Sequence, residues 1–293
     1  SPGWFRIICI LAKKSKAMAF FLTDHRKVQF DIPFDCGRCS LTNGCESCFT
    51  IDWPNEYKYL GVIMESKLSF KKHIDLISSV GFKINKMFYL IREHCNTHIL
   101  KLLYHSLYES RIQYGIAVWG NTHKTNLNQI IINQRRIIRT IYNKHFLTSS
   151  RPLFRNLNVL PFLNLYIYRV MRLFFVQSGN TNGQTAQTYN LRTNRGKYFR
   201  MPYFRTECQR RSFYFSCLTI WNRLPPTINK DSLVLFMKSL YNYLIDVDSV
   251  EDLLVRNLQW CWYATSIYRM MNISNICSFI SNFISIIIST YNH

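Results

Sequence analysis

The chain has 293 residues, of which 48% are hydrophobic, enough for one large domain or two modest ones, and this excludes a disordered tail. Its 37 Lys and Arg residues against 16 Asp and Glu residues give a formal net charge of +21. A surface that is merely solvated usually mixes both signs. This excess therefore predicts a partner with dense negative charge, nucleic acid first and an anionic membrane second.

The cysteine content and the N-terminal sequence indicate a reducing compartment. Ten cysteines are too sparse for a secreted disulfide scaffold of this length. The apolar run near the N-terminus is crowded by Arg6, Lys13, Lys14 and Lys16, unlike a secretory signal. We therefore expect an intracellular protein, nuclear or cytoplasmic, that is not secreted. The chain opens without a methionine, and we interpret it as a fragment or degraded copy of something longer.

Residues 1–64 have the pattern of a β-rich region. Residues 17–22 form a short apolar run, and residues 27–32 alternate apolar and polar side chains with the period of a half-buried strand. Residues 57–64 predict a third strand, closed by a turn at residues 65–67. Three strands so close in sequence predict an antiparallel meander.

Four cysteines lie between two of these strands, as two C-x-x-C pairs separated by five residues: Cys36, Cys39, Cys45 and Cys48. Four thiolates in one short loop could hold zinc tetrahedrally. The loop is shorter than in common zinc ribbons and knuckles, so reduced surface thiols and disulfides stay open as alternatives. His25 and His73 are not expected to be ligands.

From residue 68 the period of the apolar residues changes to that of a helix. In the first predicted helix the apolar positions step by three and four, at Ile77, Val80, Ile84, Met87 and Ile91. A second helix is predicted to begin with Ile99, Leu102, Leu103, Ser106 and Leu107. A third is predicted over residues 127–141 and a fourth over residues 163–177. Tyr114 and Trp119 are predicted to anchor the core at a helix end.

The third predicted helix carries three arginines on the side opposite to its apolar residues. A stripe at i, i+1 and i+4 can follow a phosphate backbone, which predicts nucleic-acid contacts from Arg135, Arg136 and Arg139. The alternative is a solvated helix face without a partner.

Residues 178–188 are rich in Ser, Gly, Asn, Thr and Gln and predict a linker. Residues 189–245 are basic and aromatic, and Arg210 and Arg211 are further candidates for nucleic-acid binding. Their aromatic neighbours would stack on unpaired bases or pack on the preceding helices. A closing helix is predicted over residues 236–244.

Residues 246–293 form a tail. Residues 270–291 lack charge and reach membrane-spanning length, but repeated Asn and Ser residues interrupt them. A packed helix or an out-of-frame appendage is the preferred interpretation, and a membrane partner is not expected.

Several short motifs occur in a fixed order over roughly residues 4–245. They are Trp4, Lys14-Ser15-Lys16 with Met18 and Phe20, Tyr59-Leu60-Gly61, Tyr114-Gly115 with Trp119-Gly120, Gln134-Arg135-Arg136, Arg211-Ser212-Phe213 and Trp221-Asn222-Arg223-Leu224-Pro225. Their order resembles the reverse transcriptases of jockey-like non-LTR retrotransposons. The resemblance implies an α+β fold: a small antiparallel palm remnant with a Cys-containing hairpin (1–64), an α-helical thumb (65–177), the linker and the basic C-terminal region (189–245).

The resemblance also implies roles for individual residues. Lys14 and Lys16 would lie near the phosphates of the incoming nucleotide, or else form a solvated turn before a strand. Tyr59, Leu60 and Gly61 would hold the 3′ end of the primer, because Gly61 lacks a Cβ and lets the backbone approach closely; a plain buried strand is the other interpretation. In the same stretch, Lys71 and Lys72 are predicted to contact nucleic acid.

The sequence departs from the family pattern at two places. Leu11 stands where the family usually has Asn, and the sequence contains no Asp-Asp pair of the kind that holds two metal ions in these polymerases. We therefore predict no catalytic residue and no cofactor in this chain, with Mg²⁺ belonging to the parent polymerase. The predicted function is the C-terminal portion of an RNA-directed DNA polymerase that grips an RNA template and a DNA primer, beside a missing upstream palm and fingers. The alternative is a non-enzymatic nucleic-acid-binding relic or a repurposed protein.

Overall fold

The computed structural model describes residues 54–180 and 210–247 continuously, together with residues 18, 33–34, 49–50, 188–189, 198–199, 201, 203, 250 and 253–254. The chain divides into two compact units, Ser1–His73 and Ile74–His293. The described residues are mostly helical with small antiparallel sheets, which confirms the predicted α+β composition. The strands predicted at residues 17–22 and 27–32 lie outside the described residues, apart from Met18.

The described strands of the first unit form two antiparallel pairs. Strand β1 (Pro33–Phe34) pairs with β2 (Phe49–Thr50), and β3 (Glu56–Tyr59) pairs with β4 (Val62–Glu65). The prediction of one strand over residues 57–64 is therefore wrong: β3 and β4 form a hairpin whose turn is Leu60-Gly61. Both turn residues have positive φ, 43° and 82°, as a two-residue type I′ turn requires. Gly61 adopts this conformation without strain, whereas Leu60 does not. The turn predicted at residues 65–67 is confirmed, with the Leu68 N–H donating to the Glu65 carbonyl at 2.8 Å.

Helix α1 (Lys71–Ile91) is the first predicted helix. Its buried side is lined by Ile74, Ile77, Ile84 and Phe88, so two of the predicted apolar positions are buried and the other three are half-buried. Gly81 lies on the same side. A Cβ there would come within 2.9 Å of the Tyr108 ring, so the glycine lets α1 approach the next helices closely.

Helix α2 (Thr97–Leu103) continues directly into a π-helical segment (Tyr104–Glu109) and α3 (Ser110–Gln113). The second helix is thus confirmed, but none of the five residues that predicted it is buried. Ile99 and Leu102 are 44% and 56% exposed, whereas the buried residues repeat every fourth position: Leu100, Tyr104, Tyr108 and Ile112. The tyrosine hydroxyls are buried because they have partners; that of Tyr108 donates to the Ile130 carbonyl at 3.2 Å.

The short helix α4 (Ile116–Trp119) anchors the core, as predicted for its tryptophan. The Trp119 side chain is fully buried, its Nε1 donates to the Tyr114 carbonyl at 2.9 Å, and its ring stacks on Phe162 at 5.7 Å. Tyr114 itself is half-buried. Its carbonyl accepts the hydrogen bond that fixes the tryptophan.

Helices α5 (Lys124–Ile141), α6 (Arg151–Leu157) and α7 (Phe162–Asn180) complete the centre of the second unit. The buried Gln134 of α5 joins them. Its Nε2 donates to the Tyr104 hydroxyl at 2.8 Å and to the Leu160 carbonyl at 3.0 Å, and its Oε1 accepts from the Phe162 N–H at 2.8 Å. Because all three groups are buried or part of a helix start, this amide fixes the rotation of α5 about its axis.

After α7 the described chain forms the antiparallel pair β5 (Thr188–Tyr189) and β6 (Tyr198–Phe199), then α8 (Phe213–Arg223) and α9 (Leu233–Asp246). Trp221 of α8 packs on Phe174 of α7 at 5.4 Å and on Phe199 at 5.8 Å. Phe236 of α9 stacks on Phe175 at 4.9 Å. Helices α8 and α9 therefore pack on α7 through aromatic rings, and α7 itself extends into the segment predicted as a linker.

Within the described residues, no single helix has the length and apolar character of a membrane span. The bent pair Arg151–Leu157 and Phe162–Gln177, at an angle of 49°, meets those criteria by length and composition. Most of its apolar side chains, such as Leu153, Leu165 and Val170, are buried in the helical unit. The uncharged tail at residues 270–291 lies outside the described residues.

Candidate nucleic-acid interface

The exposed side of α5 carries Arg135, Arg136 and Arg139, which we call the α5 basic face. Arg135 and Arg136 are exposed and Arg139 is half-buried, on the side away from the buried Leu127 and Ile130. Helix α5 contains no acidic residue, and none occurs in the sequence between Glu109 and Glu207. Such a long acid-free stretch is a sequence signal that points to this region beyond the arginine stripe itself.

Arg139 both belongs to the α5 basic face and supports it. Its Nε donates to the Thr148 carbonyl at 2.7 Å, which ties down the loop after α5. Burial, and then the charges of Arg135 and Arg136, lower the pKa of Arg139. An arginine still stays protonated at neutral pH, so the three cations repel one another. A bound anion would relieve that repulsion.

Helix α1 supplies an aromatic ring beside the α5 basic face. The guanidinium carbon of Arg136 lies 5.7 Å from the ring centroid of Phe82, which is 46% exposed. Two polar contacts hold the helices together: the Asn133 Nδ2 donates to the Ser78 carbonyl at 3.0 Å, and the Thr140 hydroxyl donates to the Asn85 Oδ1 at 3.1 Å.

The sequence analysis did not identify Phe82 as a site residue. The sequence feature that could have identified it is its position: Phe82 is an aromatic residue two positions from Val80 and from Ile84, and so lies off the apolar face of the predicted helix. Lys86 follows Phe82 by one helical turn and is exposed, so α1 adds a cation to the same flank.

Chemically, this arrangement can bind phosphates but cannot hold a catalytic metal. Guanidinium groups donate in a planar fork that matches phosphate oxygens, and an adjacent ring can cover a base or sugar. Among the described residues no group of three or more His, Cys, Asp or Glu side chains could hold a metal ion.

In the first unit, Lys72, one of the lysines predicted to contact nucleic acid, lies against the hairpin of β3 and β4. Tyr59 is half-buried and Leu60 is 44% exposed at the turn. Lys71 and Lys72 are exposed, and the Lys72 ammonium pairs with the Glu56 carboxylate on β3. The hydrogen bond to Glu56 raises the pKa of Lys72, so this lysine is charged but already has a carboxylate partner.

The remaining predicted site residues are distributed as follows. Arg210 and Arg211 are half-buried just before α8. Lys14, Lys16 and the four cysteines Cys36, Cys39, Cys45 and Cys48 lie outside the described residues, so their predicted roles stay predictions.

Comparison with known proteins adds relatives that match parts of the chain. An RNA-directed DNA polymerase from mobile element jockey of Drosophila funebris is 28% identical over 145 residues, which is 45% of this chain and 16% of the relative. The jockey polymerase of Drosophila melanogaster is 32% identical over 106 residues, 35% of this chain and 12% of the relative. A probable RNA-directed DNA polymerase from transposon X-element of the same species is 26% identical over 109 residues, 36% of this chain and 12% of the relative.

This chain is related to the reverse transcriptases of non-LTR retrotransposons. The resemblance drawn from the motifs is thereby confirmed. The chain spans about a sixth or less of the length of these curated relatives, 16% in the longest of the three matches. No family model matches it, and no solved structure matches it. For a relative of reverse transcriptases, an exposed arginine face on a helix without a carboxylate is the feature that bears on function.

Proposed function

We propose that this chain is the palm end and thumb of a retrotransposon reverse transcriptase and grips the hybrid of template RNA and DNA primer. The observation that carries the proposal is the α5 basic face: three arginines on one exposed helix side, beside Phe82, on a helix without a carboxylate. The relationship to RNA-directed DNA polymerases supports nucleic acid as the partner.

The electrostatics favour a phosphate backbone over a small anion. Arg135 and Arg139 are one helical turn apart, about 6 Å along the axis, so the face can follow a strand rather than surround one group. Each phosphate that an arginine neutralises releases counterions, and the affinity then falls as salt rises. Because the contacts are to the backbone, binding would depend weakly on base sequence.

Gripping needs no chemical reaction at this face. Where the relatives polymerise DNA, the α5 basic face would hold the hybrid in position. The hairpin turn Leu60-Gly61 of the first unit is a separate candidate contact with a primer. A nucleic-acid-binding protein without polymerase activity would use the same face.

The direct experiment measures binding of a short blunt RNA–DNA hybrid by fluorescence anisotropy from about 50 to 200 mM salt. Changing Arg135, Arg136 and Arg139 to Ala should lower affinity at least about tenfold and reduce the slope of log affinity against log salt by about 2 to 3. The double variant Arg135→Ala, Arg136→Ala keeps the Arg139 contact to Thr148 and should lose most of the same affinity.

The matched control removes the same charge elsewhere on the helical unit. Lys83→Ala, Lys101→Ala and Arg111→Ala together should change affinity by less than about threefold. Unchanged affinity and slope in the α5 variants, or an equal loss in the control, would show that the arginines are only a solvated helix face.

A further inference from the structure

A second candidate surface lies between α7 and α9. An open groove of about 460 Å³ runs there, with two residues of α7, Tyr168 and Arg172, on one wall, and Val234, Lys238, Tyr241 and Asn242 of α9 on the other. The residues of α9 occupy successive turns, so the groove extends about 12 Å along that helix. We call it the α7–α9 groove.

The walls of the groove are fixed from behind. Phe236, Leu240 and Leu244 of α9 are fully buried on the side facing away from the groove. The Asn164 Nδ2 of α7 donates to the Leu244 carbonyl at 2.5 Å, which sets the end of α9 against α7. The groove is therefore a property of the packed helices and not of loose side chains.

Two tyrosines form its aromatic part. The rings of Tyr168 and Tyr241 meet edge to face, with centroids 5.6 Å apart and an interplanar angle of 80°. The Tyr241 hydroxyl donates to the Asn158 carbonyl at 2.9 Å, and burial raises its pKa to about 12, so the ring is held in place as a neutral donor. Val234 is 76% exposed and adds apolar surface at the mouth.

The charge in the groove is positive and has no partner among the described residues. Neither Arg172 nor Lys238 makes a hydrogen bond or ion pair within that part of the chain. Arg169, one turn away, differs: its Nη2 donates to the Gln113 Oε1 inside the helical unit. On α9 the single carboxylate is Asp246, one turn beyond Asn242, and Asp231 lies one turn before Val234, so these two carboxylates lie at the ends of the groove. The buried Glu109 acts electrostatically on Tyr241.

Cations, aromatic rings and exposed apolar surface together fit one class of ligand. A phosphate backbone would lie along Arg172 and Lys238, while unpaired bases would rest on the tyrosines and on Val234. A base-paired hybrid presents its bases stacked inside and cannot offer them to such a surface. An acidic peptide would satisfy the charge but leave the rings without a planar partner.

We propose that the α7–α9 groove binds an unpaired stretch of RNA, separate from the hybrid at the α5 basic face. The proposal rests on the proposed function, because it takes the chain to be a nucleic-acid-gripping part of a reverse transcriptase. It adds a second contact that would hold the template strand where it is not base-paired with the primer.

The experiment compares three probes on the whole chain: single-stranded oligo(U), single-stranded oligo(dT) and the blunt RNA–DNA hybrid. The variant Arg172→Ala, Lys238→Ala should lower affinity for oligo(U) at least about tenfold and for the hybrid less than about threefold. Lys238→Arg, tested alone, should retain wild-type affinity. Lys101→Ala with Arg111→Ala, which also removes two charges, serves as the charge-matched control outside the groove.

A second measurement does not depend on a folded variant. Ultraviolet cross-linking of 4-thiouridine in oligo(U) to the unaltered protein, mapped by mass spectrometry, should label Tyr168 or Tyr241. Labelling that avoids both tyrosines, or an unchanged oligo(U) affinity in the groove variant, would overturn the proposal. If the groove variant lost affinity equally for oligo(U) and for the hybrid, the restriction of the groove to unpaired strands would be overturned. If it lost affinity for oligo(dT) alone, the assignment to RNA would be overturned.

The outcomes for the two surfaces are separable. If the α5 variants lose hybrid affinity and the groove variants change nothing, the proposed function stands and the groove proposal fails. If neither set of variants changes the binding of any probe, both the groove proposal and the proposed function fail.

Discussion

Two pairs of adjacent cations look alike in sequence but lie in different surroundings. Lys71 and Lys72 open α1 beside the hairpin, where Glu56 pairs with Lys72. Arg135 and Arg136 lie on a helix without any carboxylate, and the guanidinium group of Arg136 lies over the ring of Phe82. The difference shows that a run of like charge in the sequence does not reveal which of its cations is already paired with a carboxylate in the fold.

The largest expected effect is a loss of folding stability when Gln134, which holds α5 in position, is changed. Gln134→Ala removes the partners of the Tyr104 hydroxyl, the Leu160 carbonyl and the Phe162 N–H and should lower the free energy of unfolding by about 3 kcal/mol. Urea denaturation followed by circular dichroism measures it. The exposed Gln129→Ala on the same helix should change stability by less than about 0.5 kcal/mol. Equal stability of the two variants would mean that the arginines are positioned in another way.

In the first unit, which contains the hairpin of β3 and β4, we expect the folding stability to depend on pH. Burial, and then the charge of Lys58, lower the pKa of His73 to about 4, and its Nδ1 accepts from the Ile63 N–H at 3.5 Å. Between pH 6.5 and 4 the unfolded chain binds a proton that the folded chain does not, so stability falls as pH falls through that range. The loss is at most about 3 kcal/mol.

An NMR titration of the His73 imidazole tests this expectation. Its midpoint should lie near 4 in the folded protein and near about 6.5 in denaturant. His73→Gln should flatten the pH dependence of stability in the same range. A folded-state midpoint near that of the denatured chain would contradict the buried neutral histidine.

The smallest expected effect compares the two pairs of cations directly. Lys71→Ala with Lys72→Ala should reduce hybrid affinity by less than about threefold, against about tenfold for Arg135→Ala with Arg136→Ala, because Lys72 already shares its charge with Glu56. Both variants remove two charges, so each is the control for the other. Equal losses at every salt concentration would abolish the distinction between partnered and unpartnered cations.

The helices were predictable where aliphatic residues repeat every three or four positions, as in α5 and α7. The turn at Leu60-Gly61 was not, because the residues around it are apolar or aromatic and conceal the reversal of the chain. The buried face of α2 was also not predictable from its aliphatic residues. Tyr104 and Tyr108 can be buried only because Gln134 and the Ile130 carbonyl, far along the chain, bond their hydroxyls.

For the candidate site, the sequence predicted which side chains are exposed, but it did not predict which residues they contact. The period of α5 places Arg135 and Arg136 opposite the buried Ile130, Ile137 and Ile138, and the structure agrees. Ile132, which is 37% exposed, lies on the side of the arginines. The contact partners depend on which segments meet in space: Arg139 bonds to Thr148, Lys72 pairs with Glu56, and Arg136 lies over Phe82. Composition and period contain no information on such meetings.

The acid-free stretch between Glu109 and Glu207 has a consequence for handling the protein. A ligand that binds only the native state raises the melting temperature, and a polymer of repeated phosphates is such a ligand for a cationic helix surface. Polyanions such as heparin should therefore act as folding aids during purification. Material freed of copurifying cellular RNA should melt earlier and precipitate more readily than material that retains it.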